Sequence, residues 1–464
     1  MNTQDTICAI ATAQGGAIGV IRISGKDAIA ITDRIFTPVG KHPLPLSERK
    51  AYTMAFGHIR QDDGEIIDEV LIGLFKSPNS YTGEDCVEIS CHGSSFILQQ
   101  VMQLLIRKGC RAAGPGEFTQ RAFLNGKMDL SQAEAVADLI ASSSAATHRM
   151  AMNQMRGGFS RELSALRERL LHLTSLMELE LDFSDHEELE FADRSELETI
   201  AGDIEKVISG LVHSFSVGNV LKNGIPVAIV GETNAGKSTL LNTLLNEEKA
   251  IVSDIHGTTR DVIEDTVNLS GITFRFIDTA GIRDTHDTIE NMGIARSFHK
   301  MEQAEIVLWV VDNTCAEAQI RQLSPRILPL CSNKQLIILL NKSDQVSAVP
   351  TKLSGLPENT VTLSISAKEK TGIQELQNLL VKTASVPELT SSDLIVTNVR
   401  HYEALSLALE DIHRVQNGLQ THLSGDFISQ DLRECLFHLA EIVGGEITAD
   451  EVLGNIFMKF CIGK

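Results

Sequence analysis

The sequence predicts a multidomain α/β protein in which a doubly wound α/β domain is inserted into a helical domain, after an N-terminal α+β domain. Three patterns lead to this prediction. Short strand-like runs alternate with Gly and Pro turns up to about residue 120, helical periodicity begins near Ser131, and strands and helices alternate from about Asn223. After Pro387 the chain returns to helix. We therefore expect segments 1–120, 121–218, 219–382 and 383–464, with the second and fourth forming one helical domain.

The composition is that of a globular protein with an acidic balance. Of 464 residues, 43% are hydrophobic and 22% charged, and 41 Lys and Arg face 61 Asp and Glu, a net charge of −20. This balance disfavours a protein that coats nucleic acid through a basic face. The apolar runs are too short for a membrane span, the start lacks a signal-peptide pattern, and the eight cysteines are scattered. These features predict a soluble cytoplasmic protein with reduced thiols and no membrane partner.

The first two segments contain strand and helix signals. Strands are predicted at Ile18–Ile23, Val70–Phe75 and Val87–Ser90. Ser131 and Glu134 have the spacing of a capping box and predict a helix start. A long amphipathic helix is predicted from apolar residues at intervals of three and four, namely Leu163, Leu166, Leu170, Leu173, Met177 and Leu181.

The third segment carries a phosphate-binding loop between a strand and a helix. The predicted strands are Pro226–Val230, Ile272–Ile277, Ile306–Val311, Leu336–Leu340 and Val361–Ile365. The run Gly231–Ser238 (Gly-Glu-Thr-Asn-Ala-Gly-Lys-Ser) directly follows the first of them. In such a loop, glycines allow backbone N–H groups to face phosphates. We therefore expect Lys237 to reach the β- and γ-phosphates and Ser238 to ligate Mg²⁺.

Four further motifs follow in the chain order of a GTPase. Thr258–Arg260 supplies a threonine that closes over magnesium, and Asp278–Gly281 supplies an acid for the metal and a glycine N–H for the γ-phosphate. In Asn341–Asp344, the final carboxylate can accept both N1–H and the 2-amino group of guanine, which predicts GTP rather than ATP. Ser366–Lys368 can support the same base. Together the motifs resemble the GTPase superfamily.

The residues alone leave the activation of water open. Ras-type GTPases have a glutamine directly after Asp-x-x-Gly, whereas this chain has Ile282, which cannot orient water. Asn234 in the phosphate loop can help to hold a monovalent cation beside the phosphates. A carboxylate in the segment after the Asp-x-x-Gly motif (Asp284, Asp287 or Glu290) can act on water as a base.

Three segments outside these motifs point to one family. Tyr81–Gly93, Gly114–Leu130 and Cys461–Lys464, together with the inserted domain, resemble the MnmE (TrmE) family of tRNA modification GTPases from about residue 5 onward. The resemblance implies an N-terminal α+β domain similar to the folate-binding domains of one-carbon transferases. It also implies a helical domain that supplies Cys461 and an inserted Ras-like G domain.

The resemblance also implies partners and a reaction. It predicts a cytoplasmic homodimer that joins the flavoprotein MnmG (GidA) in a heterotetrameric complex. With that partner, the family builds the carboxymethylaminomethyl or aminomethyl group on C5 of the wobble uridine of certain tRNAs. The expected cofactors are GTP, Mg²⁺, K⁺ and 5,10-methylenetetrahydrofolate or a ligand of the 5-formyltetrahydrofolate type.

Individual roles carried over from the family fall on definite positions. The folate contacts are Arg22, Glu88, Lys127 and Lys464, the potassium ligands are Asn234, Ser253, Ile255 and Thr258, and the magnesium ligands are Ser238 and Thr259. The expected catalytic residues are Glu290, which matches the carboxylate assigned to water activation, Lys237 and Cys461. The expected GTP contacts are Asn234, Ala235, Gly236, Lys237, Ser238, Thr239, Ser253, Asp254, Ile255, His256, Gly257, Thr258, Thr259, Asp278, Thr279, Ala280, Gly281, Asn341, Lys342, Asp344, Ser366, Ala367 and Lys368.

Two other classes of function stay open. A ribosome-assembly or regulatory GTPase without modification activity would share every G motif, because those motifs report nucleotide handling and not output. Such a protein is expected to carry a basic RNA-binding appendage, which the acidic balance disfavours. A folate-dependent one-carbon transferase with a GTPase regulator overlaps with the family mechanism.

Overall fold

The computed structural model contains two compact units that alternate along the chain. One comprises Met1–Ala141, Ala151–Ser209 and Arg400–Lys464, and the other comprises Ser142–Met150 and Gly210–Val399. The structure describes residues 5–13, 15–40, 43–182, 194–248, 265–277, 301–332, 334–346, 356–357, 360–384, 394–445, 457, 460 and 463. The bounds of the four predicted segments stay a prediction.

A seven-stranded sheet forms the N-terminal part of the first unit. Its strands are β1 (Ile7–Ile10), β2 (Ile18–Ser24), β3 (Phe36–Pro38), β4 (Thr53–Arg60), β5 (Ile66–Phe75), β6 (Cys86–His92) and β7 (Arg111–Ala112). The spatial order is β3-β4-β5-β6-β2-β1-β7, and all neighbours are antiparallel except β1 and β7. Because side chains alternate between the faces of a strand, Ile21 and Ile23 enter the core while Arg22 points to the other face. Helices α1 (Ala28–Asp33) and α2 (Ser95–Arg107) pack on the core face.

The helical part begins with five helices. They are α3 (Glu117–Leu124), α4 (Leu130–Ala141), α5 (Ala145–Met155), α6 (Gly158–Asp182) and α7 (Arg194–Asn223). The predicted apolar stripe on α6 is confirmed from Leu163 to Met177, where all five of its residues are buried, and the side chain of Leu181 lies outside the described residues.

The predicted capping box on α4 is wrong by two residues. The N–H of Gln132 donates to Asp129 Oδ1 and the N–H of Asp129 donates to Gln132 Oε1, both at 2.9 Å. These reciprocal bonds are a capping box with Asp129 as the cap. Ser131 and Glu134 lie inside the helix and are buried.

The second unit contains a six-stranded, doubly wound sheet. Its strands are β8 (Ile225–Val230), β9 (Asp265–Leu269), β10 (Ile272–Phe276), β11 (Ile306–Asp312), β12 (Gln335–Asn341) and β13 (Val361–Ser364), and the helices described after β8 are α8 (Lys237–Glu248), α9 (Ala316–Ile327) and α10 (Ile373–Thr383). The order is β13-β12-β11-β8-β10-β9, and only the pair β9–β10 is antiparallel. Buried apolar clusters cover both faces: Leu308 belongs to one and its neighbour Trp309 to the other. The predicted fold class is therefore confirmed.

Among the described residues from 394 to 445, two helices continue the helical part. They are α11 (Val399–Gln420) and α12 (Gly425–Val443). Glu134 on α4 accepts hydrogen bonds from Arg400 Nε and Nη2, both at 3.0 Å, and its carboxylate lies 2.7 Å from His401 Nε2. Phe159 stacks on the His401 ring at 5.3 Å between centroids. Burial alone would raise the pKa of Glu134, but hydrogen bonds and charge from His401 and Arg400 lower it to about 2. This buried cluster connects α4 with α11.

Within the described part of the chain, no helix is long and apolar enough to cross a membrane.

Candidate functional site

The phosphate loop lies between β8 and α8, at the carboxyl edge of the parallel strands. Gly231 has φ +148° and Gly236 φ +99°, and a Cβ on either would lie about 2 Å from Val310 O or from Asn341 Nδ2 (2.2 and 2.1 Å). No side chain fits at these distances, so glycine is required at both positions. Asn234 is also left-handed, with φ +66°. The loop therefore approaches the sheet closely, as a phosphate-binding loop must.

Lys237 is the first residue of α8, and the loop curls around its side chain. Its Nζ donates to Gly231 O at 2.9 Å and to Glu232 O at 2.6 Å. The ammonium is thus held beside the N-terminus of a twelve-residue helix, where the helix dipole also favours negative charge. Ser238 follows in the same turn and offers a hydroxyl, an oxygen ligand of the kind that Mg²⁺ prefers.

Asn341 connects three of the predicted motifs through one amide. Its Nδ2 donates to Ala235 O in the phosphate loop at 2.8 Å, and its Oδ1 accepts the N–H of Ala367 at 3.0 Å. The side chain is 3% exposed. Thr243 on α8 adds a second connection, because its hydroxyl donates to Ala367 O at 3.0 Å. We predicted Asn341 as a GTP contact; what its side chain does in this structure is to hold the three loops together.

Asp344 is held in place by the side chain of Ser366. Ser366 donates from Oγ to Asp344 Oδ1 at 2.6 Å, and the Ser366 hydroxyl in turn accepts the N–H of Glu369 at 3.2 Å. This hydroxyl fixes one carboxylate oxygen of Asp344. The structure therefore brings together Asp344 and Ser366, two residues predicted to contact guanine, and their role toward a base stays a prediction.

Lys342 has a left-handed backbone and a charged partner that the sequence did not indicate. Its φ is +65°, and its ammonium pairs with Asp312 at the carboxyl end of β11. Burial alone would raise the pKa of Asp312, but hydrogen bonds from Lys342 and Thr314 lower it. Asp312 is thirty residues from Lys342 along the chain, so no local motif includes both.

Many predicted nucleotide and metal contacts lie outside the described residues. They are Ser253, Asp254, Ile255, His256, Gly257, Thr258, Thr259, Asp278, Thr279, Ala280, Gly281 and Glu290, together with Cys461 and Lys464. Their roles stay predictions.

A second candidate site surrounds Arg22 in the N-terminal sheet. Arg22 and Glu88 are register partners on β2 and β6, and Arg22 Nε donates to Glu88 Oε1 at 2.9 Å. Arg22 also donates to Gly463 O at 3.3 Å, and its guanidinium lies over the rings of Tyr81 and Phe118 at 5.4 and 5.7 Å. This half-buried guanidinium, enclosed by two aromatic rings and a carboxylate, can recognise a flat, polar heterocycle. Of the other predicted folate contacts, Lys127 has a different partner, Pro78 O at 3.0 Å.

A buried ionic network explains the unusual run Gly114–Leu130. Arg121 is 3% exposed and donates to Asp5 Oδ1 at 2.6 Å, to both oxygens of Glu84 at 3.2 Å and to Glu117 Oε1 at 3.2 Å. Asn125 donates to Thr82 O at 2.7 Å. These bonds anchor the loop that carries Tyr81, whose hydroxyl lies 2.9 Å from Thr119 Oγ1. In the sequence, the signal for this network is the i, i+4 pair of opposite charges on α3, Glu117 and Arg121.

Comparisons with known proteins agree over the whole chain. Residues 6–127 match the GTP-binding protein TrmE N-terminus, and residues 130–461 match the MnmE helical domain. The curated tRNA modification GTPase MnmE of Bacteroides thetaiotaomicron is 66% identical over 99% of this chain and 100% of its own length. The protein of the same name from Phocaeicola vulgatus is 63% identical over all of both chains.

Solved structures are similar to a smaller part. Era from Aquifex aeolicus, bound to GDP·AlF4⁻, is 28% identical, covers 40% of this chain and 66% of its own, and has a TM-score of 0.27. The assignment therefore depends on the two domain matches and the full-length relatives, and they are sufficient for it: the chain belongs to the MnmE family.

Proposed function

We propose that this chain is a GTPase that acts in tRNA modification and binds GTP with Mg²⁺ at the carboxyl edge of the second sheet. The observation that carries this is the Asn341 amide, which joins the phosphate loop to Ala367 beside the Asp344–Ser366 pair. A phosphate site and a guanine-selective carboxylate thus share one edge, the usual ligand position in a parallel α/β sheet. The curated relatives carry the name of such a GTPase.

In this proposal, the nucleotide contacts are those predicted from the sequence. Lys237 neutralises charge on the β- and γ-phosphates, Ser238 and Thr259 hold Mg²⁺, and Asp344 selects guanine. Magnesium, when bound, neutralises the charge that develops on the phosphate oxygens. Glu290 holds or removes a proton of the attacking water, a role for which Ile282 has no suitable group.

We further propose that hydrolysis depends on potassium. Asn234, Ser253, Ile255 and Thr258 supply the oxygen ligands, and the cation supplies the positive charge that an arginine finger gives in other GTPases. Support comes from Asn234, which is exposed in the phosphate loop and has a left-handed backbone.

The proposed folate site is centred on Arg22 and Glu88, with Lys127 and Lys464 as further contacts of a tetrahydrofolate. Support comes from the guanidinium between the rings of Tyr81 and Phe118.

The exposed face of β4 and β5 carries apolar side chains: Met54 is 62% exposed, and Phe56 is paired in register with Leu71. Apolar surface of this kind fits the proposed homodimer, because soluble monomers rarely expose such patches.

The proposed product is the carboxymethylaminomethyl or aminomethyl group on C5 of the wobble uridine, made with MnmG and with Cys461 as a catalytic thiol. A deletion strain tests this by mass spectrometry of its tRNA nucleosides. The modified uridine should vanish and return with the wild-type chain, but not with Lys237→Ala. Lys382→Ala, an exposed lysine at the end of α10, is the matched control and should restore it.

The same experiment separates the alternative. A ribosome-assembly or regulatory GTPase would leave the tRNA nucleosides of the deletion strain unchanged. In that case the deletion would alter ribosomal-subunit profiles instead, and the modification function would be refuted.

A further inference from the structure

A chain of polar contacts through Glu232, Gln319 and Asp312 connects the phosphate loop with the proposed guanine motif. Gln319 on α9 donates from Nε2 to Glu232 Oε2 at 2.8 Å, and its Oε1 accepts the N–H of Asp312 at 2.9 Å. The Asp312 carboxylate then pairs with the Lys342 ammonium. We call Glu232, Gln319 and Asp312 the polar strap.

Lys342 is the residue whose conformation needs such support. Its φ of +65° is in the left-handed region, where a side chain with a Cβ is strained. It caps the short 3₁₀ turn Ser343–Gln345, and this turn carries Asp344 to the Ser366 hydroxyl. Strained backbone persists only where its surroundings hold it. The ion pair with the Asp312 side chain, which is 14% exposed, stabilises Lys342 in this conformation.

Gln319 determines where Asp312 lies. It is 7% exposed, and the two bonds above occupy both ends of its amide, so a rotation of the amide would break both. The far end of the strap is Glu232, whose backbone carbonyl accepts a hydrogen bond from Lys237. The position of the guanine motif is thus tied to the phosphate loop.

We propose that Asp312, Gln319 and Glu232 are positioning residues for guanine recognition. They hold Lys342 in its left-handed conformation and thereby place the Asp344 carboxylate opposite N1–H and the 2-amino group of the base. This inference rests on the proposed GTP site and concerns which residues give that site its selectivity.

The test compares binding of GDP and IDP to the full-length chain by equilibrium titration. Hypoxanthine keeps N1–H but lacks the 2-amino group of guanine, so the ratio of the two dissociation constants reports the contact of Asp344 with that group. Asp312→Asn keeps the size of the side chain and an oxygen that can accept from Thr314, but removes the charge that faces Lys342. We expect GDP to bind ~10-fold more weakly and IDP to lose less affinity, because hypoxanthine keeps N1–H but has no 2-amino group to lose, so that the ratio falls.

Gln319→Met is the second variant and should lower the ratio in the same way, because methionine keeps the length and removes both hydrogen bonds. Gln374→Met, at an exposed position of α10, is the matched control and should keep the wild-type ratio. An equal loss for GDP and IDP in Asp312→Asn and Gln319→Met would indicate only a structural role and would overturn the proposal. So would an unchanged affinity for both nucleotides.

Asp344→Asn tests the underlying GTP site separately. An amide N–H₂ donates where a carboxylate accepts, so this variant should prefer XDP, whose base carries a carbonyl at C2. If it still prefers GDP, the guanine site itself is misassigned. If it prefers XDP while Asp312→Asn and Gln319→Met keep the wild-type ratio, the site stands and the positioning role of the strap is wrong.

Discussion

Replacing Glu134 by glutamine should destabilise the helical part by ~3 kcal/mol at pH 7. Glu134 is 8% exposed and carries the negative charge that faces Arg400 and His401. The fall of its pKa from 4.5 to about 2 corresponds to ~3 kcal/mol, since each pKa unit is worth ~1.4 kcal/mol. Removal of one partner from a buried ion pair costs ~3–5 kcal/mol in other proteins, which agrees.

The single tryptophan makes this prediction selective. Trp309 is buried in the sheet of the second unit, so its fluorescence reports the unfolding of that unit. Circular dichroism at 222 nm, in contrast, is dominated by the long helices. In urea, Glu134→Gln should move the circular dichroism transition to lower denaturant and leave the fluorescence transition in place. Glu410→Gln, an exposed glutamate on α11, is the control and should change stability by less than ~0.5 kcal/mol. Equal shifts of both signals, or no shift at all, would refute the reasoning.

The pH dependence follows from the direction of the pKa shift. A carboxylate whose pKa is lower in the folded state stabilises above its unfolded pKa and loses this effect as the pH falls through the folded value. The difference in unfolding free energy between wild type and Glu134→Gln should thus be full at pH 7 and shrink from about pH 4.5 toward pH 2. A constant difference over this range would contradict the shift.

Four other outcomes follow from the proposed GTPase. GTP turnover should be ~10³-fold faster in KCl than in NaCl at matched ionic strength, and equal rates would exclude the potassium site. Glu290→Ala should lower GTP turnover ~10²-fold and keep the GTP affinity, while the control Asp284→Ala should turn over GTP at nearly the wild-type rate. The reverse result would assign the activation of water to Asp284. Gly236→Ala should abolish GTP binding, because the added Cβ would lie 2.1 Å from Asn341 Nδ2, and normal binding in a filter assay would contradict this. Cys461→Ser should keep GTP turnover and lose the modified uridine, since a thiolate attacks where a hydroxyl does not, and normal nucleoside levels would remove the thiol from the chemistry.

Local patterns predicted the second unit well. The run Gly231–Ser238 and the motif Asn341–Asp344 are short, and each depends on residues next to one another in the chain. Periodicity alone likewise indicated β11, β12 and α6. The side-chain hydrogen bonds that connect these motifs could not be predicted from local patterns. Gln319 and Glu232 are 87 residues apart, and a glutamine on a helix carries no sign of its partner.

The start of α4 shows a case in which the local sequence pattern fits two alternatives. Asp129 and Gln132 have the same spacing as Ser131 and Glu134, so the local pattern fits two capping boxes. Tertiary structure decides between them, because Glu134 is buried and pairs with Arg400 and His401. The contacts of Arg22 with Tyr81 and Phe118 were also invisible in the sequence, since Tyr81 lies in the loop before β6 and Phe118 lies on α3, both far from Arg22 along the chain.

The pairing of Glu134 with Arg400 also has a consequence for synthesis on the ribosome. The two residues are 266 positions apart, and the whole second sheet is translated between them. At ~5–20 residues per second, Glu134 waits roughly 13–53 s for its partner. The β8–β13 sheet, whose partners all lie within the interval, can form during that delay. The helical part closes only after translation has passed Arg400, so a ribosome that stalls after the last strand of the insertion, before Arg400 is released, leaves a nascent chain with a complete second sheet and an open helical part.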